Sequence, residues 1–91
     1  MYRKEFYNKA FLEYYEIWAY IWDDNPFYAN KVLNSIDETI NTILVFPFIW
    51  KQLNKNHRVI VEPQYKYKIV YKVEIETIYI ISIFKYKNIW E

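Results

Sequence analysis

The chain has 91 residues, of which 54% are apolar and 25% charged, and this balance predicts one folded domain spanning residues 1–91. It contains no cysteine, which excludes disulfides, thiolate catalysis and cysteine metal sites, and no glycine, which excludes a glycine-rich phosphate loop. A single histidine excludes a histidine-based metal site of ordinary ligand count. We therefore expect neither a metal nor another cofactor.

The charges are unevenly distributed, although the formal net charge is only +1. Residues 1–50 hold four basic and seven acidic side chains, whereas residues 51–91 hold eight basic and four acidic ones. The basic half predicts a polyanionic or acidic partner, although a solvated basic face without a partner explains the same pattern.

Two features favour a cytoplasmic location without a membrane partner. The longest apolar run, residues 78–84 with Ser82 inside it, is far shorter than the roughly 20 residues that cross a bilayer. The N-terminal segment MYRKEFYNKA carries charges, and no apolar core of a signal peptide follows it. Abundant Lys, Asn, Ile and Tyr are typical of an AT-rich genome, which weakens arguments from tyrosine counts.

The first long predicted element is an amphipathic helix over residues 8–22. Its apolar residues recur at spacings of three and four, which places them on one predicted core-facing side: Phe11, Tyr14, Tyr15, Trp18, Ile21 and Trp22.

A second helix is predicted to follow at once. Pro26 disfavours helical geometry at Asn25 but suits the first turn of a new helix, which Asn25 or Asp24 caps. The helical period then continues to about Val45, and Pro47 ends it. Because the connection is so short, the two helices are predicted to form a hairpin.

After a polar loop over residues 51–56, the apolar period changes to two. Three runs rich in β-branched and aromatic residues, at residues 57–62, 65–73 and 77–85, predict an antiparallel meander. The last run is apolar almost throughout, so we expect it to lie centrally and to be buried on both faces. Residues 2–6 are predicted to add a short edge strand.

The middle run, YKYKIVYKV, alternates between two kinds of face. One face carries Tyr65, Tyr67, Ile69, Tyr71 and Val73 and is predicted to meet the helices. The other carries Lys66, Lys68, Val70 and Lys72 and is predicted to line the open side of the sheet. The predicted fold is therefore α+β, a helical hairpin packed on a three- to four-stranded antiparallel sheet in the order β-α-α-β-β-β.

Four segments in this order carry a family resemblance. They are YIWDDNP at the end of the first helix, FP after the second, Arg58 followed by VIVEPQYKYKIVYKV, and IYIISIFKYKNIW near the end of the chain. Together they resemble the RelE/ParE superfamily of bacterial toxins from type II toxin–antitoxin systems, and its ParE-like branch most closely.

The resemblance implies a toxin that arrests growth, as in plasmid stabilisation, and that a cognate antitoxin neutralises. ParE-type members inhibit DNA gyrase without a known hydrolytic step, whereas RelE-type members cleave messenger RNA on the ribosome. A gyrase-directed toxin is our first expectation, a ribosome-dependent endoribonuclease the second, and a non-toxic interaction domain that keeps the fold the third.

The endoribonuclease alternative needs a base, an acid and cations within reach of the ribose and phosphate. The candidates are Arg58, Lys85 and Lys87 for charge stabilisation and Tyr71 or Tyr86 for proton transfer. Phe84 stands where the superfamily often has a histidine, which weighs against RNA cleavage. The expected contacts with a target or antitoxin are Lys66, Lys68, Lys72, Trp50 and Trp90.

Overall fold

The computed structural model describes residues 2–85, in which two α-helices pack on one face of a five-stranded sheet. The elements follow in the order β1 (Arg3–Phe6), α1 (Asn8–Asp24), α2 (Pro26–Val45), β2 (Lys51–Gln52), β3 (Arg58–Val61), β4 (Lys68–Val73) and β5 (Thr77–Phe84). The α+β class and the helical hairpin are confirmed. No helix within the described residues has the length and apolar character that a membrane span requires.

The sheet is larger than predicted, and it is mixed. Its strand order is β1-β5-β4-β3-β2, with β1 parallel to β5 and the other neighbours antiparallel. The prediction of three to four antiparallel strands was therefore wrong in number and in direction. β2 was missed because it consists of only two exposed residues inside the predicted polar loop, which are too few to show an alternation of apolar and polar residues. The helical hairpin that follows β1 sets the direction of this strand relative to β5. The alternation of apolar and polar residues, which predicts a strand, does not record that direction.

The junction between the helices follows the predicted capping. The side chain of Asn25 accepts a hydrogen bond of 3.1 Å from the backbone N–H of Tyr28, and Pro26 occupies the first turn of α2. α2 ends at Val45, and Pro47 is buried immediately beyond it. The sequence thus determined both ends of α2.

Helix α1 buries a narrower side than predicted. The α1 residues that pack in or against the main core are Ala10, Tyr14, Ile17 and Ile21. Phe11, Tyr15 and Trp22 are instead exposed, and Trp18 is half-buried. The main contacts of α1 are with α2, β5 and the short β1, so α1 lies near the margin of the sheet and has one side to bury. The prediction of a single buried aromatic face was wrong on this point.

Strand β5 lies inside the sheet and is buried along most of its length, as predicted. β1 covers its outer edge only as far as Ile80. Beyond that point Glu13 of α1 accepts the backbone N–H of Ile83 at 2.9 Å and the hydroxyl of Ser82 at 3.0 Å. Lys9 Nζ lies 2.6 Å from the same carboxylate. An ion pair on α1 thereby satisfies a strand edge that would otherwise lack acceptors.

The connection between β3 and β4 folds around the fully buried carboxylate of Glu62. This carboxylate accepts the hydroxyl of Ser35 and the backbone N–H groups of Gln64 at 2.7 Å and Tyr65 at 2.8 Å. Burial alone would raise the pKa of Glu62, but these hydrogen bonds outweigh it and lower the pKa. Lys66 has a left-handed φ of 67° in this turn, so β4 begins at Lys68 rather than at residue 65.

The two faces of β4 meet different surroundings. The aromatic and aliphatic residues of β4 and of the segment just before it pack in or against the helix-facing core, as predicted: Tyr65, Tyr67, Ile69, Tyr71 and Val73. On the opposite face Val70 is buried with Ile81 and Phe84. The face on which the lysines were predicted therefore also carries a small apolar cluster of its own.

Candidate functional site

Arg58 stands at the start of β3 and is half-buried. Its Nη1 donates hydrogen bonds to the carbonyl oxygens of Phe48 at 2.9 Å and Trp50 at 2.8 Å. The guanidinium carbon also lies 5.5 Å from the centroid of the Phe48 ring. The side chain thus ties the segment after α2 to the sheet while it borders the surface.

A polar cleft of about 280 Å³ opens beside Arg58. Its lining comprises Phe48, Gln52, Lys55, Asn56, His57, Arg58, Lys72, Val73 and Glu74. Three cationic side chains and one carboxylate meet there, so the cleft favours an anionic ligand. The sequence analysis missed Gln52 and Lys55 as site residues, because the polar loop that holds them shows no alternation of polar and apolar residues. Their position in the loop just before Arg58 could have indicated them.

The loop that supplies this lining is held by Asn54. Its side-chain oxygen accepts the backbone N–H groups of Asn56 at 2.9 Å and His57 at 3.0 Å. The same oxygen lies 2.9 Å from Nδ1 of His57. Such a local turn orients the backbone without glycine. His57 therefore lines the cleft from a fixed loop.

Lys72 borders the cleft from β4. Its Nζ lies 5.5 Å from the ring centroids of both Tyr7 and Tyr79 and 3.6 Å from a carboxylate oxygen of Glu74. A hydrogen bond with Tyr7 and the charge of Glu74 raise the pKa of Lys72. Lys72 is therefore positively charged at neutral pH and is held beside two aromatic rings.

Tyr71 pairs with Arg58 across the sheet, but its side chain is fully buried. The hydroxyl donates to the carbonyl oxygen of Pro47 at 2.7 Å. Burial raises the pKa of Tyr71 to about 12, although the positive charge of Arg58 acts in the opposite direction. In this position the hydroxyl stays protonated at neutral pH and supports the same segment that Arg58 holds.

Lys85 lies at the opposite end of the sheet from Arg58. Arg58 aligns with Tyr71 and, through it, with Ile80, whereas Lys85 follows Phe84, which aligns with Lys68. Three or more residue steps therefore separate the two cations, which is roughly 10 Å along the strands. Lys85 Nζ lies 5.4 Å from the Tyr67 ring and lines a different groove with Glu13 and Glu16 of α1. Tyr86 and Lys87, the remaining catalytic candidates, lie outside the described residues.

The predicted contact residues are dispersed. Lys66 is exposed in the turn above Glu62, Lys68 begins β4, and Lys72 borders the cleft. Trp50 is half-buried beside a separate groove between α2 and β3, and its Nε1 is buried with no hydrogen-bond partner among residues 2–85. Trp90 lies outside the described part of the chain. Within residues 2–85, no cluster of three or more His, Asp or Glu side chains is placed to hold a metal ion.

Comparison with known proteins identifies the family. Residues 5–90 match the family model described as the ParE toxin of the type II toxin–antitoxin system, parDE. This match covers nearly the whole chain. The chain belongs to the ParE toxin family. The superfamily resemblance seen in the sequence is thereby confirmed.

Two solved structures share the fold of this chain. A chain of the chromosomal ParDE TA system from P. aeruginosa aligns with a TM-score of 0.79 at 16% identity, covering 96% of this chain and 98% of the other. A chain of the intact E. coli RelBE toxin–antitoxin complex aligns with a TM-score of 0.73 at 18% identity, covering 97% of this chain and 100% of the other. At these identities the likeness shows the fold alone. No curated protein sequence matches the chain.

Proposed function

We propose that this ParE-family toxin arrests bacterial growth from the cytoplasm by binding an essential target, foremost DNA gyrase, and that a cognate antitoxin neutralises it. The family match over residues 5–90 supports the toxin class. The arrangement of the charged side chains supports binding rather than hydrolysis.

The observation that carries this preference is the separation of Arg58 from Lys85. Arg58 and Lys85 occupy opposite ends of the sheet, and the hydroxyl of Tyr71 is buried against the carbonyl oxygen of Pro47. Acid–base cleavage of RNA requires its acid, base and cations within hydrogen-bond reach of one phosphate. The described candidates do not meet this requirement together.

A ribosome-dependent endoribonuclease is the second candidate function, and a different observation favours it. The cleft beside Arg58 brings Lys55, Arg58 and Lys72 together with His57 in a volume of about 280 Å³. Such a concentration of cations fits a phosphate group, and histidine is the side chain that most often serves as a general acid or base in catalysis.

Induced expression in bacteria tests these alternatives, with growth, messenger lifetime and DNA breaks measured in parallel. The strains carry the wild type, Lys55→Ala with Arg58→Ala, and Lys31→Ala, an exposed lysine of α2, as the matched charge control. Growth arrest with DNA breaks and unchanged messenger lifetime is the expected result. Co-expression of the antitoxin encoded beside the gene is expected to restore growth.

The other outcomes assign the remaining alternatives. Shortened messenger lifetime that disappears in the double variant but persists in Lys31→Ala would replace the gyrase proposal with the endoribonuclease. Normal growth with a soluble, folded wild-type protein would contradict both and leave an interaction domain without toxicity. Circular dichroism of each purified variant separates loss of function from loss of the fold.

A further inference from the structure

The cleft beside Arg58 has an excess of positive charge that the described part of the chain does not compensate. Its charged lining comprises Lys55, Arg58, Lys72 and Glu74. Lys72 Nζ lies 3.6 Å from a carboxylate oxygen of Glu74, so these two side chains largely balance each other. Within residues 2–85, neither Lys55 nor Arg58 is paired with a carboxylate. The cleft therefore offers two uncompensated positive charges to a ligand.

The guanidinium of Arg58 is held in place through only one of its nitrogens. Nη1 donates to the carbonyl oxygens of Phe48 at 2.9 Å and Trp50 at 2.8 Å. Nε and Nη2 have no acceptor among the described residues. The N–H groups on this edge of a guanidinium are parallel and match two oxygens of one anion. Because the side chain is already fixed, binding an anion costs little of its conformational freedom.

The charge and the volume of the cleft together favour a phosphate monoester. A carboxylate carries one negative charge and would leave one of the two cations without a counterion. A phosphate monoester carries about 1.5 to 2 negative charges at pH 7 and has three acceptor oxygens. The volume of about 280 Å³ is near the lower end of the range of ligand pockets, so the cleft admits a small organic phosphate.

The same cleft contains groups that suit a nucleobase. The ring of Phe48 is 57% exposed and lines the cleft together with the amide side chains of Gln52 and Asn56. An exposed aromatic ring stacks on a base, and amides form hydrogen bonds with its edge. The Phe48 ring centroid lies 5.5 Å from the guanidinium carbon of Arg58, so a base and its phosphate would be bound side by side.

We propose that the cleft binds a free mononucleotide, with its phosphate on Arg58 and Lys55 and its base on the Phe48 ring. The turn after β4 disfavours a longer nucleic-acid strand, because Glu74 lines the cleft and Glu76 is exposed in the same turn. Their carboxylates repel the further phosphates of a strand. The inference concerns a small ligand of the isolated chain and does not depend on whether gyrase is the target.

Titration of the full chain with adenosine 5′-monophosphate, followed by amide NMR spectra, tests the proposal. Saturable shifts are expected at residues 48, 52–58 and 72–74, with a Kd below about 1 mM. Adenosine 3′,5′-cyclic monophosphate has the same base but a single negative charge, and it is expected to bind about tenfold more weakly. Inorganic phosphate lacks the base and is expected to bind about fivefold more weakly or worse.

Three variants assign the binding to individual side chains. Arg58→Lys keeps the charge but removes the parallel donors, so it is expected to weaken nucleotide binding by about tenfold. Phe48→Ala is expected to weaken binding of the nucleotide and to leave binding of inorganic phosphate unchanged. Lys51→Ala is the matched control, since Lys51 is an exposed lysine of β2 that does not line the cleft, and it is expected to change the Kd by less than about twofold.

Four results would overturn the proposal. The first is the absence of saturable shifts up to about 10 mM nucleotide, and the second is equal affinity for the nucleotide and for inorganic phosphate. The third is equal weakening by Arg58→Lys and Lys51→Ala. The fourth is binding of a 5′-phosphorylated oligonucleotide to the same residues about tenfold more tightly than the mononucleotide, which would assign the cleft to a nucleic-acid strand. The same spectra show whether each variant keeps its fold.

Discussion

Strand β3 has a charged side chain at its start and another just past its end, and the two serve the fold differently. Glu62 is fully buried and accepts hydrogen bonds from one hydroxyl and from the backbone of its own turn. Arg58 is half-buried, and both of its bonds to the carbonyls of Phe48 and Trp50 are made by Nη1. A guanidinium has five N–H donors, so Arg58 keeps donors for a ligand.

The difference shows that the degree of burial distinguishes a charged side chain that only stabilises the fold from one that can also bind a ligand. A buried carboxylate surrounded by donors has little capacity for a further partner, and its loss affects folding. A half-buried guanidinium beside a cation-lined cleft supports the local fold and faces solvent as well.

Replacing Glu62 by alanine is expected to have the largest effect on stability. The change leaves Ser35 and two backbone N–H groups without their acceptor, and each such loss costs about 1–3 kcal/mol when the group is buried. We expect the free energy of unfolding in urea to fall by about 3 kcal/mol. Glu76→Ala, at an exposed position, is the control and is expected to change it by less than about 0.5 kcal/mol. Equal effects of the two substitutions would contradict the structural role of Glu62.

Replacing Arg58 by alanine is expected to cost less stability than the Glu62 substitution. The two carbonyls that lose their donor lie near the surface, where water replaces it, so we expect a loss of about 1 kcal/mol in the free energy of unfolding. Lys55→Ala removes a charge from the same cleft and is expected to be nearly neutral for stability. A loss for Arg58→Ala as large as that for Glu62→Ala would mean that Arg58 serves the fold alone.

The sequence was sufficient for the elements whose local signals agree. The cap at Asn25, the proline after α2 and the apolar run of β5 each have a local physical cause, and each was predicted correctly. β2 and the direction of β1 depend on contacts between distant segments, which period and propensity do not record. The exposed aromatic residues of α1, Phe11, Tyr15 and Trp22, were misassigned because spacing shows that residues share a side but not whether anything covers that side.

The candidate site shows the same limit. Arg58 was found through its place in the family pattern, yet its neighbours in the cleft come from a polar loop and from β4. Lys55 and Lys72 are 17 residues apart in numbering and meet only because the β3–β4 pairing returns the chain to the start of β3. Sequence spacing could not predict that juxtaposition, just as it could not predict that Arg58 and Lys85 lie at opposite ends of the sheet.

Lowering the pH is expected to distinguish Glu62 from Arg58 through the free energy of unfolding, with a smaller effect than that of either alanine substitution. A carboxyl whose pKa is lower in the folded than in the unfolded state stabilises the fold above the unfolded pKa, and this contribution is lost as the pH falls through the folded pKa. The pKa of Glu62 is lowered from an ordinary value of 4.5, so its contribution is complete above that pH and declines below it. Arg58 stays charged throughout this range and contributes no such dependence.

The measurement is the free energy of unfolding at about pH 7 and about pH 3 for the wild type, Glu62→Gln and Arg58→Ala. Glu62→Gln is expected to lose less stability on acidification than the wild type, because its neutral side chain does not titrate, whereas Arg58→Ala is expected to match the wild type. The effect is smaller than the cost of Glu62→Ala, since a protonated carboxyl still accepts part of the hydrogen bonds. An identical acid dependence in Glu62→Gln and the wild type would show that Glu62 does not supply the buried negative charge that holds the β3–β4 turn.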